Sequence, residues 1–308
     1  NYSSFVADPR ERAFYVAQTS WTRGNHGKRE DYLTIHGGSS LEAVAEVDLP
    51  GRLISTPKTN SIDISADGKR VYVFNLEPAA SVVTVRTDLR KVESVTEIPG
   101  CGLVYAWGAA GFATLCADGS LASVSLDSKG RGTVEHSPAF FDPEKDPIFD
   151  ESVVDRQTGK AFLLSYSGLI YPTQIGARPV VGEAWSVQQA AGLSPASVEP
   201  GHRTWRPGGR RLMALHRSSG RLYILMHEGE QWTQKEAGSQ IWVVDTDKRA
   251  VVAKLTVPTS AEVIAVSQDD KPLVFALAPG GRLWVMDAAT GEVLRTKTGY
   301  GAMTAAVS

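Results

Sequence analysis

A strand-turn-strand pattern occurs twice near the end of the chain, and this repetition constrains the fold more than any other feature. SQIWVVDTDKRAVVAKL at residues 239–255 is followed by GRLWVMDAATGEVLRTK at residues 281–297. Trp242 and Trp284 are 42 residues apart in these stretches. Short runs rich in β-branched and aromatic residues, separated by Gly, Asp and Pro, are typical of strands and turns. A chain that repeats such a unit repeats a supersecondary structure.

The repeated unit contains four strands. In the last full copy they are AEVIAVS, PLVFALA, RLWVMD and VLRTK, within residues 261–297. Looser copies cover residues 5–49, 61–98, 103–136, 151–175 and 211–255. Four-stranded antiparallel units at a period of about 40 to 50 residues predict an all-β fold, a β-propeller in which each unit is one blade. A β-sandwich is the main alternative, but it does not repeat one internal turn pattern throughout the chain.

The end of the chain predicts how the propeller closes. GYGAMTAAVS at residues 299–308 resembles the opening strand of a seventh blade. Propellers close their ring and hide sheet edges by completing the last blade with strands from the other terminus. The first strand of the 5–49 unit already begins close to Asn1, however. We therefore predict a single domain over residues 1–308, a seven-bladed propeller whose seventh blade is incomplete, with its N-terminal strands lying before residue 1.

The composition of the chain argues against several classes of partner. The formal net charge is −2, and Lys and Arg are scattered rather than clustered. Neither a nucleic-acid partner nor a membrane surface is therefore expected. No apolar run approaches the roughly 20 residues that cross a bilayer, so a soluble protein is expected.

Signatures of independent catalysis are missing from the sequence. HExxH, CxxC, GxSxG and GxxxxGK[ST] do not occur, and they mark zinc-protease, dithiol, nucleophile-elbow and phosphate-loop chemistry. His216 and His227 could flank one hairpin and form a metal site, with two hydrogen-bonded or solvated histidines as the alternative. Aspartates at predicted turns could cluster around a metal, but Asp also caps the backbone of its own turn. They are Asp67, Asp118, Asp155, Asp269 and Asp287. We predict neither a metal site nor a catalytic residue in this chain.

Two long segments interrupt the repeat and are candidate binding loops. WTRGNHGKREDY occupies residues 21–32 and GHRTWRPGGRR occupies residues 201–211. Long loops on a rigid scaffold often carry binding function. Trp and Arg are enriched in interface hot spots, although packed tryptophans in solvated loops would give the same composition. The candidate interface residues are Trp21, Arg23, Trp205 and Arg206.

The chain has only two cysteines, Cys101 and Cys116. They are separated by a predicted strand, turn and strand. Opposed positions on neighbouring strands would allow a disulfide, which forms in oxidising compartments. Two buried thiols fit the same pattern, because Cys is also a common small core residue.

Five stretches carry more specific information. They are TRGNHGKREDY at residues 22–32, SADGKRVYVFNLEPAASVVTV at 65–85, CGLVYAWGAAGFATLCADGSL at 101–121, WRPGGRRLMALHRSSGRLYILMHEGEQWTQKEAGSQIWVVDT at 205–246 and VSQDDKPLVFAL at 266–277. Together they resemble the heavy (large) subunit of the quinoprotein amine dehydrogenases, the methylamine and aromatic amine dehydrogenase group. The resemblance covers nearly the whole chain, and residues 205–246 are its most specific part.

The resemblance implies the heavy subunit of a periplasmic α2β2 heterotetramer with a seven-bladed propeller fold. The cofactor, tryptophan tryptophylquinone, would be made from two tryptophans of the separate small subunit, so none of the seven tryptophans here is expected to form it. The implied reaction is oxidative deamination of a primary amine to an aldehyde and ammonia. Electrons would pass singly to a blue-copper protein, an azurin- or amicyanin-like cupredoxin. The resemblance also implies a disulfide between Cys101 and Cys116.

The sequence contains stretches that resemble both branches of this group. DPIF at residues 146–149, LMH at 225–227 and IWVVDT at 241–246 resemble the aromatic-amine branch, whereas WRPGG, EQW and SQDDKP resemble the methylamine branch. We predict a slight preference for aromatic amines over methylamine. The alternative function is a free-standing propeller, either a binding scaffold or a lactonase-like metal hydrolase. A lone chain with a bound divalent metal would favour that alternative.

Overall fold

The computed structural model describes residues 4–10, 12–54 and 58–300, and regular structure in these ranges is almost entirely β. Sheet I consists of β1 (Phe5–Ala7), β2 (Ala13–Arg23), β3 (His26–Gly37) and β4 (Ala43–Asp48). Sheet II consists of β5 (Arg52–Leu53), β6 (Ile62–Ile64), β7 (Arg70–Glu77), β8 (Ser81–Arg86) and β9 (Lys91–Glu97), with a 3-10 turn at Thr59–Ser61 before β6. Sheet III consists of β10 (Cys101–Trp107), β11 (Gly111–Cys116), β12 (Leu121–Leu126) and β13 (Gly132–His136).

Three further sheets follow along the chain. Sheet IV consists of β14 (Val153–Val154), β15 (Lys160–Leu164), β16 (Leu169–Gln174), β17 (Val180–Val181) and β18 (Trp185–Ser186), and the short helix α1 (Val187–Ala190) comes next. Sheet V consists of β19 (Thr204–Pro207), β20 (Met213–His216), β21 (Arg221–Gly229), β22 (Gly238–Asp245) and β23 (Ala250–Ala261). Sheet VI consists of β24 (Val263–Val266), β25 (Leu273–Leu277), β26 (Leu283–Asp287) and β27 (Val293–Lys297).

Each sheet is a meander of four strands hydrogen-bonded in chain order, and β6, β18 and β20 are short additions to sheets II, IV and V. The six sheets confirm the six units predicted from the sequence. Trp242 lies in β22 and Trp284 in β26, the third strands of the meanders in consecutive sheets, and both side chains are buried. Asp245 and Asp287 accept backbone N–H groups from Lys248 and Thr290. The repeated Trp and Asp are therefore a core residue and a turn residue.

The described residues form two compact units. The first comprises residues up to Pro143 together with Val154–Ala161 and Thr173–Val181, and the second comprises Glu144–Val153, Phe162–Pro172 and residues from Gly182 onward. In the first unit, one hydrophobic cluster joins sheets I and II and another joins sheets II and III. In the second unit, one cluster contains residues of sheets V and VI. Burial of this apolar surface is the main stabilising contribution to each unit.

Two predictions about the whole chain are not tested by these observations. Residues 301–308, where we predict the opening strand of a seventh blade, lie outside the described residues. The single domain and the seventh blade therefore stay predictions.

None of the helices among the described residues is long and apolar enough to cross a bilayer.

The two cysteines form a disulfide, as the family resemblance implies. Cys101 and Cys116 are directly opposite each other in the β10–β11 ladder, and both are buried. The following turn is closed by Asp118, whose carboxylate accepts the Ser120 N–H at 2.9 Å. Gly119 has a φ of 82°, and a Cβ there would overlap the carbonyl oxygen of Phe141. This turn therefore needs glycine for both its conformation and its space.

Removing the disulfide is expected to destabilise the chain by about 3 kcal/mol, because the closed loop of 15 residues restricts the unfolded state. The change is the double variant Cys101→Ala with Cys116→Ala, and the measurement is urea unfolding. Dithiothreitol should lower the stability of the wild type but leave the variant unchanged. Equal stability of oxidised and reduced wild type would contradict the expectation.

Candidate functional site

The interruption at residues 21–32 is an extended two-stranded ribbon, which corrects the predicted loop. β2 and β3 pair from Ala13 opposite Gly37 to Arg23 opposite His26, with one irregularity near the tip. β1 pairs with residues 14–16 and β4 with residues 32–36. Beyond them, no further strand pairs with the ribbon in the part of the chain that the structure describes. We call residues 19–31 the arm.

The base of the arm is held by a buried ion pair. The Arg29 guanidinium donates to both carboxylate oxygens of Asp31 at 2.7 Å, and the Thr19 hydroxyl donates to Asp31 at 2.6 Å. Arg29 also donates to the carbonyl of Leu53 at 2.9 Å, which fixes the arm to β5. Burial alone would raise the pKa of Asp31, but the hydrogen bonds from Arg29 and Thr19 lower it below its ordinary value. The arm therefore leaves sheet I from a fixed base.

Trp21 and Arg23, two of the predicted interface residues, lie on the arm. Trp21 is half-buried, with the Arg29 guanidinium carbon 5.8 Å from its ring centroid. Arg23 is exposed, as are all residues from 22 to 28. Both side chains lie on a projecting surface, and the interface role stays a prediction for them.

Trp205 and Arg206, the other two predicted residues, lie in β19. The Trp205 ring packs against Trp242 with centroids 5.6 Å apart. Arg206 is only 3% exposed and donates to the backbone carbonyls of Gly229 and Ser197. Burial lowers its pKa. The Arg206 side chain therefore has its contacts inside this chain, which the Arg- and Gly-rich sequence did not indicate, and the interface role of Trp205 stays a prediction.

The histidines proposed as a metal pair are not brought together. His216 lies opposite Arg221 at the start of β21, whereas His227 is near the end of the same strand. The His216 ring nitrogens lie 2.6 Å from the Ser219 hydroxyl and 3.0 Å from the Asp269 carbonyl oxygen. The metal-pair hypothesis is therefore wrong, and the hydrogen-bonded alternative describes this residue.

The turn aspartates form hydrogen bonds within their own turns. Four of them accept a backbone N–H two residues further along the chain: Asp67, Asp118, Asp155 and Asp287. Asp269 accepts the Ser267 hydroxyl at 3.0 Å. The backbone N–H of Thr290 is the main cause of the lowered pKa of Asp287. No group of three or more His, Cys, Asp or Glu in the described ranges has the arrangement of a metal site.

A third long connection, residues 230–237 between β21 and β22, was missed by sequence reasoning; we call it the Trp232 loop. Trp232 has a left-handed φ of 70° and is 52% exposed. Its ring meets Tyr166 edge-on at 6.3 Å, and Tyr166 packs against Phe149 at 4.6 Å. The only signal in the sequence was an aromatic residue inside the polar run GEQWTQKEAG. We identified that run by resemblance only and not as a binding loop.

Thr233 connects the Trp232 loop to a buried histidine. Its hydroxyl donates to the carbonyl of Glu230 at 2.7 Å and lies 2.8 Å from Nε2 of His227. Because the hydroxyl proton points to Glu230, Nε2 of His227 must be the donor to Thr233. Burial is the main cause that lowers the pKa of His227. The histidine is therefore neutral at pH 7 and donates from Nε2.

The stability of the chain is expected to fall as the pH decreases below about 6.5, and His227 contributes to this fall. Its pKa is lower in the folded than in the unfolded state, so the unfolded chain takes up the proton first. The contribution is present above the unfolded pKa and is lost as the pH falls towards the folded one. His227→Gln should make the melting temperature depend less on pH between pH 5 and 7. Exposed His26→Gln is the control, and equal slopes for both variants would contradict the prediction.

Comparison with known proteins decides the family. The family model described as methylamine dehydrogenase heavy chain (MADH) matches residues 4–307. The chain belongs to the methylamine dehydrogenase heavy chain family. This confirms the resemblance found in the sequence.

Two relatives show how similar this chain is to other heavy chains and how much of their length it covers. The methylamine dehydrogenase heavy chain of Methylophilus methylotrophus is 27% identical over 284 residues, which cover 91% of this chain and 67% of that protein. The heavy chain of Paracoccus versutus is 27% identical over 287 residues, covering 92% of this chain and 65% of that protein. The chain thus spans about two thirds of the length of these heavy chains.

Solved structures of low sequence identity show the fold. The Dos1 propeller matches with a TM-score of 0.56 and 12% identity, covering 97% of this chain and 72% of that chain. The dihydro-heme d1 dehydrogenase NirN in complex with DHE matches with a TM-score of 0.56 and 14% identity. The match covers 97% of this chain and 56% of that chain. With the six meanders, these similarities confirm the β-propeller prediction.

Proposed function

We propose that this chain is the heavy, non-cofactor-bearing subunit of an amine dehydrogenase that converts primary amines to aldehydes and ammonia. The family match over residues 4–307 carries the proposal. The geometry supports a non-catalytic role, because His216 and the turn aspartates are hydrogen-bonded within their own turns. A carboxylate that caps its turn is poorly placed for acid-base work on a substrate.

The reactive group is proposed to lie on a light subunit. That subunit would carry tryptophan tryptophylquinone, whose electrophilic carbonyl supplies the covalent chemistry towards an amine. The tryptophans of this chain support this division: Trp205 and Trp242 are packed with ring centroids 5.6 Å apart, and the Trp242 Nε1–H donates to Gln240. Trp242 is a core side chain, and Trp205 is a partly buried one that packs against it. This chain would then shape the substrate pocket and hold the light subunit in an α2β2 assembly.

The arm is proposed as one contact for the light subunit. Its base is fixed by Arg29 and Asp31, and Trp21 and Arg23 lie on the part that extends beyond β1 and β4. A projection with an ordered base loses less backbone entropy when it binds, and Trp and Arg are enriched in interface hot spots.

Four finer features complete the proposal. The disulfide supports an oxidising compartment, and we place the assembly in the periplasm. The electron acceptor is proposed to be an azurin- or amicyanin-like cupredoxin, and aromatic amines are favoured slightly over methylamine. The propeller is proposed to have seven blades.

Purification of the native complex tests the function. A smaller, disulfide-rich polypeptide with a quinone absorption band in the visible should purify with this chain. The complex should reduce an artificial dye with an aromatic amine or methylamine, whereas the isolated chain should not. Dye reduction by the isolated chain, or a lone chain that binds a divalent metal, would contradict the proposal.

A further inference from the structure

We propose that Trp232 anchors a docking surface for the light subunit, formed by residues 192–203, Glu228 at the end of β21 and the Trp232 loop. The surface fits a partner with an apolar pocket surrounded by basic residues. The inference rests on the proposed function, because it assigns the partner that the function requires. It concerns a segment separate in sequence from the arm.

The conformation of Trp232 is costly, and its ring gains little from burial in this chain. A bulky residue at a φ of 70° is a conformational outlier, since only Gly and to a lesser degree Asn or Asp adopt this region easily. Such conformations persist where the surrounding structure holds them, often at ligand contacts. More than half of the side chain remains exposed. Packing within the chain therefore offsets the strain only in part, through the edge-on contact with Tyr166.

The Trp232 loop holds this conformation through hydrogen bonds at several positions. Thr233 is held by His227 and Glu230, and its carbonyl accepts the Glu236 N–H at 2.9 Å. The Gln234 carbonyl accepts the Gly209 N–H at 3.1 Å. The indole ring is thus presented to solvent from a rigid loop. A side chain that is already fixed loses little entropy on binding, which favours a stable contact.

Residues 192–203 extend the surface. The Gly201 N–H donates to the Glu230 carboxylate at 3.1 Å, and Arg203 donates to the Glu228 carbonyl at 2.6 Å. These bonds tie the two segments together. Val198 is 62% exposed on the first segment and Trp232 is exposed on the second. The surface therefore carries two exposed apolar side chains on segments that hydrogen bonds join.

The charge of this surface indicates which partner fits. Residues 192–203 and 228–237 contain four acidic residues, Glu199, Glu228, Glu230 and Glu236, all exposed, against the two basic residues Arg203 and Lys235. A two-fold contact between copies of this chain would place the same acidic surface against itself. A different polypeptide with a basic rim avoids this repulsion. The light subunit is the distinct partner that the proposed function supplies.

Trp232→Gly tests the anchor, because glycine removes the ring and relieves the backbone strain. We expect the dissociation constant for the light subunit purified from the native complex to rise more than about tenfold. The melting temperature of the variant should be equal to or above that of the wild type. Leu41→Gly is the matched control, since Leu41 is 65% exposed at a φ of 60° and should keep wild-type affinity.

The charged rim has a separate test. Glu199→Lys with Glu236→Lys should weaken binding of the light subunit and reduce its dependence on salt. Wild-type affinity of Trp232→Gly would overturn the inference and leave the proposed function intact. Loss of affinity with an equal loss of thermal stability would also overturn it, because Trp232 would then be structural. Failure of the wild-type chain to bind any light subunit would overturn both proposals.

Discussion

Replacing Asp63 with alanine is expected to destabilise the first unit by about 3 kcal/mol, because it removes a buried carboxylate that accepts from a partly exposed guanidinium and from a backbone N–H. Asp63 lies in β6 and is 5% exposed. Its carboxylate accepts the Arg156 guanidinium at 2.6 Å and the Ala106 N–H of β10 at 2.7 Å. One side chain thus connects sheet II, sheet III and the turn between β14 and β15. Alanine would leave a cation and a backbone donor without their acceptor.

The measurement for Asp63→Ala is urea unfolding followed by circular dichroism. Arg131→Ala is the control, because Arg131 forms its ion pair with Asp127 at the surface with 76% of its side chain exposed. Such pairs contribute about 0–1 kcal/mol. A similar small effect for both variants would show that the Asp63 network does not hold the sheets together.

Replacing Trp242 with alanine is expected to cost about 3–5 kcal/mol in the second unit, the usual range for a large aromatic side chain in a core. Trp242 is fully buried in β22. It packs against Trp205, and Lys254 lies 4.4 Å from its ring centroid on the neighbouring strand. Alanine would lose this apolar burial and leave a cavity between the packed elements.

Thermal unfolding measures the effect of Trp242→Ala. Trp242→Phe should be milder, since it keeps a ring in the core. Tyr300→Ala is the exposed aromatic control, because Tyr300 is 53% exposed. An Ala variant of Trp242 as stable as the Tyr300 control would contradict its assignment to the core.

The regular part of the fold could be predicted from the sequence. Strand and turn signals lie within a few neighbouring residues, as in the RLWVMDAATGE stretch, and their repetition predicted six meanders. The disulfide was different, because the cysteine pattern left two alternatives and only the resemblance selected one. The arm was predicted as a loop, since TRGNHGKRED contains few β-branched residues. Its backbone nevertheless continues the β2–β3 ladder to Arg23 opposite His26.

The candidate site depended more strongly on residues distant in the sequence. Arg206 and Trp232 both belong to long interruptions that composition alone could not divide into core and surface. Arg206 is buried, and its guanidinium donates to the carbonyls of Ser197 and Gly229. Trp232 is exposed because its loop is held by hydrogen bonds to His227 and Gly209.

The sequence by itself determined the strand pattern, the turn aspartates and, through its family resemblance, the heavy-chain assignment. These depend on local periodicity and on motifs that neighbouring residues carry. Only the tertiary structure decided which loop residues face solvent, and that Trp232 is held in a left-handed conformation. It also decided that His216 in β20 pairs with the start of β21, whereas His227 lies near the end of β21. Each of these depends on contacts between segments far apart in the chain, and such contacts leave no periodic signal in the sequence.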